Sequence, residues 1–85
     1  MEEQSKEKKY IIFQPPDNEE IQITIKSWLS KSGGSMPLEE IEKRFNEKFH
    51  FFYPQIYTEK QMNTAQIGSW KTFAFRLKNE IVYQK

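Results

Sequence analysis

Ser69-Trp70-Lys71-Thr72-Phe73-Ala74-Phe75-Arg76-Leu77-Lys78-Asn79-Glu80-Ile81-Val82-Tyr83 is the stretch on which the architecture turns, because two periods fit it. Trp70, Phe73, Ala74 and Leu77 fall at i, i+3, i+4 and i+7, one face of a helix that Ser69 would cap. Phe73, Phe75 and Leu77 also alternate, as one face of a strand that turns at Lys78-Asn79 and returns through Ile81-Val82-Tyr83. The strand template leaves Trp70 on the wrong face but explains Phe75. The helical template takes in Trp70, so a helix over 69–78 is the expectation, and under either template a strand follows at 80–84.

The sequence before this stretch is clearer. Asp17 or Asn18 can cap a helix whose first turn carries Glu19 and Glu20, where the helix dipole favours acids. Ile21, Ile25, Trp28 and Leu29 then make one face, with Ile23 off it, and Gly33 supplies a left-handed stop, giving a first helix over about 18–32. Ser32-Gly33-Gly34-Ser35 lacks the Gly-Lys-Ser/Thr of a phosphate loop and reads as a helix–helix connection. Pro37 opens a second helix over about 37–49, with Glu39 and Glu40 in its first turn and Leu38, Ile41, Phe45 and Phe49 on one stripe. His50-Phe51-Phe52-Tyr53-Pro54 is a dense aromatic segment, and the proline keeps that helix from running through Tyr53. Thr58-x-x-Gln61 has the capping-box spacing, so a short helix near 59–66 is expected. Tyr10-Ile11-Ile12-Phe13 is a short strand or extended arm stopped by Pro15-Pro16, and it is expected to pair with the Ile81-Val82-Tyr83 run. The charged lead-in over 1–9 reads as disordered.

The chain has 85 residues, room for one small domain. Hydrophobic residues make up only 36%, but seven Phe, four Tyr and two Trp supply large buried areas from few positions. The absence of cysteine excludes disulfides, a thiolate zinc site and a cysteine nucleophile. No apolar run is long enough for a membrane helix, and the N-terminus lacks a signal-peptide core, so a soluble intracellular protein, cytoplasmic or nuclear, is the default. The net charge of +1 argues against strong nonspecific polyanion binding. It is unevenly spread, however: residues 58–85 carry five basic against two acidic groups, while residues 1–20 carry three against six.

Catalysis has little to stand on. His50 is the only histidine, it is flanked by Phe49, Phe51 and Phe52, and no motif positions a nucleophile beside it. The plain reading is a histidine packed among aromatics, in a protein that is not an enzyme and holds no metal or cofactor. Nucleic-acid binding has more support. On a helix over 69–78, Lys71, Phe75 and Lys78 share one outward stripe with Arg76 beside it, a pattern that can hold phosphates and stack a base. Against it stands the reading in which Phe75 covers the core edge and the lysines are merely solvated. A protein-docking surface is the alternative: Phe51, Phe52 and Tyr53 cannot all point inward from a short irregular segment, so at least one should reach the surface while the others pack.

Taken in order, a helix ending in a glycine turn, Met36-Pro37-Leu38-Glu39-Glu40-Ile41-x-x-x-Phe45-x-x-x-Phe49, and Gly68-Ser69-Trp70-x-x-Phe73-x-x-x-Leu77-x-x-x-Ile81-Val82-Tyr83 resemble the LOTUS domain, also called OST-HTH. Residues 21–84 take part. The resemblance implies a winged-helix fold in a protein of RNA metabolism, either binding RNA or docking a DEAD-box RNA helicase. A generic winged helix binding DNA or a protein fits the same spacing. The expected architecture is a single α+β winged-helix domain over 10–85, with Trp28, Leu29, Ile41, Phe45, Phe49, Trp70, Phe73 and Leu77 at its core.

Overall fold

The computed structural model describes residues 8–84. Over these residues it is an α+β domain in which four helices pack on a five-stranded antiparallel sheet. Strand β1 (Lys9–Ile12) leads into helix α1 (Glu19–Lys31), followed by strand β2 (Ser35–Pro37) and helix α2 (Leu38–Phe49). Strand β3 (Gln55–Thr58) runs directly into helix α3 (Glu59–Met62), and helix α4 (Ala65–Gly68) follows. A single 3₁₀ turn (Lys71–Phe73) then delivers the hairpin of β4 (Phe75–Lys78) and β5 (Ile81–Tyr83). In space the strands lie in the order β2-β5-β4-β1-β3.

The local signals explain the helix ends. The Asn18 side chain accepts the Ile21 N–H at 3.2 Å and caps α1, and Gly33 (φ 80°) follows the helix in the left-handed conformation. Helix α2 starts after Pro37 and closes on His50, which takes the left-handed conformation at φ 65°. His50 is solvent-exposed there, a terminator of the helix rather than a packed side chain. Arg44 Nε donates to Glu40 Oε2 at 2.9 Å one turn away and holds the Glu40 carboxyl below its ordinary range. The Thr58–Gln61 capping box forms, but its helix lasts one turn: the stretch expected as one helix near 59–66 is divided into α3 and α4.

The helix expected over 69–78 is not there. Ala74 is extended (ψ 145°), and Phe75 to Lys78 are a strand. Asn79 (φ 53°) and Glu80 (φ 60°) form the two-residue link to β5, with both residues left-handed as the twist of a tight hairpin demands. The tertiary reason is burial. As a strand, Phe75 and Leu77 meet Val82, Ile11 and Met36 beneath α1 and α2; a helix could not have brought them all to one sheet face. The pairing expected between the 10–13 run and Ile81-Val82-Tyr83 is also replaced. Strand β4 lies between them, and β1 pairs with β4 on one side and β3 on the other. This central position is compatible with Pro15-Pro16 because the ladder ends at Ile12, before the prolines. Of the lead-in expected over 1–9, residues 1–7 lie outside the described residues, and Lys9 already belongs to β1.

The sheet is buried on both faces at its centre. Ile11, Phe13, Ile21, Ile25, Leu29, Met36, Ile41, Phe45, Phe75 and Val82 form the main core between the sheet and α1/α2. Phe45 is its hub, with the Phe49, Phe51 and Phe52 rings 4.7, 5.3 and 5.4 Å from its own. Ile12, Met62 and Ala74 form a smaller core on the opposite face, under α3 and α4, joined there by Trp70. Trp28, Phe49 and Leu77 border the main core rather than filling it, and Phe73, expected inside, is only half-buried and joins neither core.

Candidate nucleic-acid interface

Because side chains alternate along a strand, the register assigns every strand residue to a face. Lys9, Ile11, Phe75, Leu77, Val82 and Met36 are on the face covered by α1 and α2. On the other face, cross-strand partners line up in a single row over all five strands: Tyr57, Tyr10, Arg76, Tyr83 and Ser35. Directly opposed residues have their Cβ atoms ~4.5–5.5 Å apart, so Arg76 stands between the rings of Tyr10 and Tyr83. One step along, Lys78, Ile81 and Pro37 form a second row on this face. Helices α3 and α4 cover its Ile12 end, and Tyr10 and Tyr57 are half-buried against the smaller core there. Toward β4, β5 and β2 the surface is open: Lys78 and Pro37 are exposed, and Tyr83 keeps 37% of its surface in water.

Where α3 meets this face there is a cleft of about 400 Å³ lined by Tyr10, Glu59, Met62, Asn63, Lys71, Ala74 and Arg76. The capping box holds the start of α3, and the Glu59 N–H donates to the carbonyl of Lys8, the residue before β1, at 2.8 Å, which ties the cleft wall to the start of β1. Arg76 Nε is buried without a hydrogen-bond partner. Neither Lys71, Arg76 nor Lys78 makes an ion pair among the described residues. These three cations therefore keep their charge available to a ligand rather than spending it inside the fold.

Lys71, Phe75, Arg76 and Lys78, expected together on one helical stripe, are separated in the structure. Arg76 and Lys78 share the open face, and Lys71 joins Arg76 at the cleft. Phe75 points the other way and is 3% exposed, its ring 5.7 Å from Phe13 in a T-shaped contact, so it cannot stack on a ligand. A period of two splits what a period of 3.6 would have joined. The aromatic part of the site falls instead to exposed Tyr83 and to Tyr10 and Tyr57, which are half-buried against the smaller core. None of the three was expected in a site, although each stands two residues from a same-face neighbour in a short β-rich run, a signal the sequence carries.

The second group behaves as the aromatic segment suggested. Phe51 and Phe52 pack against the main core, while Tyr53 is 72% exposed and stacks on Phe51. Beside it, β3 is an edge strand without a charged residue, and Ile56 is 49% exposed. Among the described residues no cluster of three metal-ligating side chains occurs, and no helix is long and apolar enough to cross a membrane. Compared with known proteins, the chain matches no family model, no curated protein and no solved structure.

Proposed function

We propose that this chain is a non-catalytic module that binds single-stranded nucleic acid, RNA in the first instance, on the open face of its sheet. One observation carries the reading: the row Tyr57, Tyr10, Arg76, Tyr83 sets a cation between Tyr10, half-buried, and Tyr83, exposed, across adjacent strands, and Lys78 and Lys71 flank it. Antiparallel sheet faces that present two or three aromatic rings to unpaired bases are an established way of holding single strands, because every base has a stackable face. The cations take the phosphates and set the path of the strand. A duplex would keep its bases stacked inside and offer the tyrosines nothing. The near-neutral total charge fits a module whose affinity comes from stacking as well as counterion release. The winged-helix reading keeps some support from topology, since α1, β2 and α2 precede a hairpin whose second strand pairs with β2. It departs from that pattern between α2 and β4, where only one-turn helices stand.

Fluorescence anisotropy with labelled single-stranded RNA, single-stranded DNA and duplex DNA at low salt tests the proposal. Single strands should bind more tightly than duplex, and Arg76→Ala should weaken them. Single-strand binding no tighter than ~0.1 mM at low salt, at the weak end of nonspecific affinity, would remove the reading. A protein-docking role, with a DEAD-box helicase as the partner suggested by the LOTUS resemblance, is the second reading. It is favoured by exposed Tyr53 and Ile56 beside the uncharged β3 edge, where a partner strand could add. Tyr53→Ala and Ile56→Lys would weaken such docking and leave nucleic-acid affinity unchanged.

A further inference from the structure

The cleft at the α3 end of the open face has chemistry that phosphate binding alone does not explain. Its floor is apolar, made by Met62 and Ala74, and Tyr10 stands at its side. That combination suits a planar ring. Lys71 and Arg76 line one part of it, and Arg76 Nε is a buried donor still open. A purely anionic ligand, however, would also meet the carboxylate of Glu59, which lines the same cleft with the Asn63 carboxamide. An ionised carboxylate only accepts hydrogen bonds, whereas a carboxamide can donate as well. The lining therefore includes a group with two acceptor oxygens and a group that can donate.

Of the four RNA bases, only guanine has the complement on its Watson–Crick edge. It presents N1–H and N2–H side by side as donors, with O6 next to them as acceptor. Adenine and cytosine place one amino group beside a ring nitrogen whose lone pair would face the carboxylate. Uracil has a single N–H between two carbonyls. Resting on the nucleic-acid reading above, we propose that the cleft is a guanine pocket. The base lies on Met62 and Ala74 beside Tyr10, Glu59 accepts from N1 and N2, and Asn63 donates to O6. Lys71 and Arg76 hold the phosphate of the same nucleotide. The cleft volume lies within the range of small-molecule sites, large enough for one nucleotide. The open face beyond it would carry the rest of the strand.

The test uses the full chain. Guanosine, adenosine, cytidine and uridine 5′-monophosphates are titrated by amide NMR, and a uridine oligomer is compared with the same oligomer carrying one guanosine. Guanosine monophosphate should shift the amides of 59–63 and 71–76 most. The single guanosine should tighten binding about fivefold or more, the discrimination one good bidentate pair supplies. Glu59→Gln, at an exposed position in the first turn of α3, should abolish that gain and leave the affinity for the uridine oligomer within about twofold. Equal responses to all four mononucleotides, or a guanosine preference that survives Glu59→Gln, would overturn the pocket. The two proposals fail separately. Oligomer binding without base preference keeps the sheet face and discards the pocket; guanosine monophosphate binding without oligomer binding does the reverse.

Discussion

Phe75→Ala separates the strand architecture of residues 75–83 from the helical one that the local periodicity favours. In the helical reading Phe75 is an exposed stacking ring, and its loss would weaken nucleic-acid binding at little cost to stability. In the structure it is 3% exposed and meets Phe13 at 5.7 Å. Removing a fully buried Phe forfeits ~1.5–3 kcal/mol of transfer free energy. The lost T-shaped pair adds ~0.5–1.5 kcal/mol. Strand β4 is held between β1 and β5, so the space cannot close by a simple shift of the strand. The total, ~2–4.5 kcal/mol before any cavity cost, overlaps the ~3–5 kcal/mol range of Phe-to-Ala core truncations. At ~0.05–0.15 kcal/mol per residue, a domain of this size has roughly 4–13 kcal/mol in all. The variant should therefore melt on the order of 20 °C lower, given ~4–8 °C per kcal/mol for small domains. Urea unfolding followed by the fluorescence of Trp28 and Trp70, together with far-ultraviolet circular dichroism, measures the loss. Phe75→Leu, which keeps most of the volume, should cost less than ~1.5 kcal/mol and stay folded for binding measurements. A Phe75→Ala protein that melts within a degree or two of the parent yet binds single strands more weakly would refute the placement of Phe75 and with it the β4 hairpin.

Tyr83→Ala should lower affinity for single-stranded RNA by about 5- to 150-fold, the ~1–3 kcal/mol of one stacked base, with an unchanged melting temperature because the ring lies on the open face; isothermal titration and a melting curve on the same sample check both halves. Lys71→Glu with Lys78→Glu should weaken binding to every sequence, and each lost phosphate contact should reduce the log–log salt slope by ~0.7; an unaltered slope in titrations over ~0.02–0.2 M salt would detach these cations from the phosphates. His50→Gly should stabilise the domain by about 0.5–1 kcal/mol, since φ 65° costs a residue with a Cβ and not glycine; a lower urea midpoint would contradict the left-handed end of α2.

Helices α1 and α2 are legible in the sequence alone because the information for them is local. Asn18 with Glu19 and Glu20, the Gly33 stop, Pro37 and the spacing from Leu38 to Phe49 each act within one or two turns. The Thr58–Gln61 capping box is equally local, and so is the crowding that keeps Phe51, Phe52 and Tyr53 from all lying inside. The 69–83 stretch is different. Trp70, Phe73, Ala74 and Leu77 satisfy a helix slightly better than Phe73, Phe75 and Leu77 satisfy a strand, and nothing within the stretch corrects that preference. The preference is overturned by β1 and β5, which supply hydrogen-bond partners on both sides of β4, and by α1 and α2, which bury Phe75. The same long-range pairing makes β1 a central strand and aligns Tyr57, Tyr10, Arg76 and Tyr83, residues up to 73 positions apart in the chain. Local periodicity can tell which residues of one element share a side. Only the register between elements decides which sides face one another, and the candidate site is made of that register.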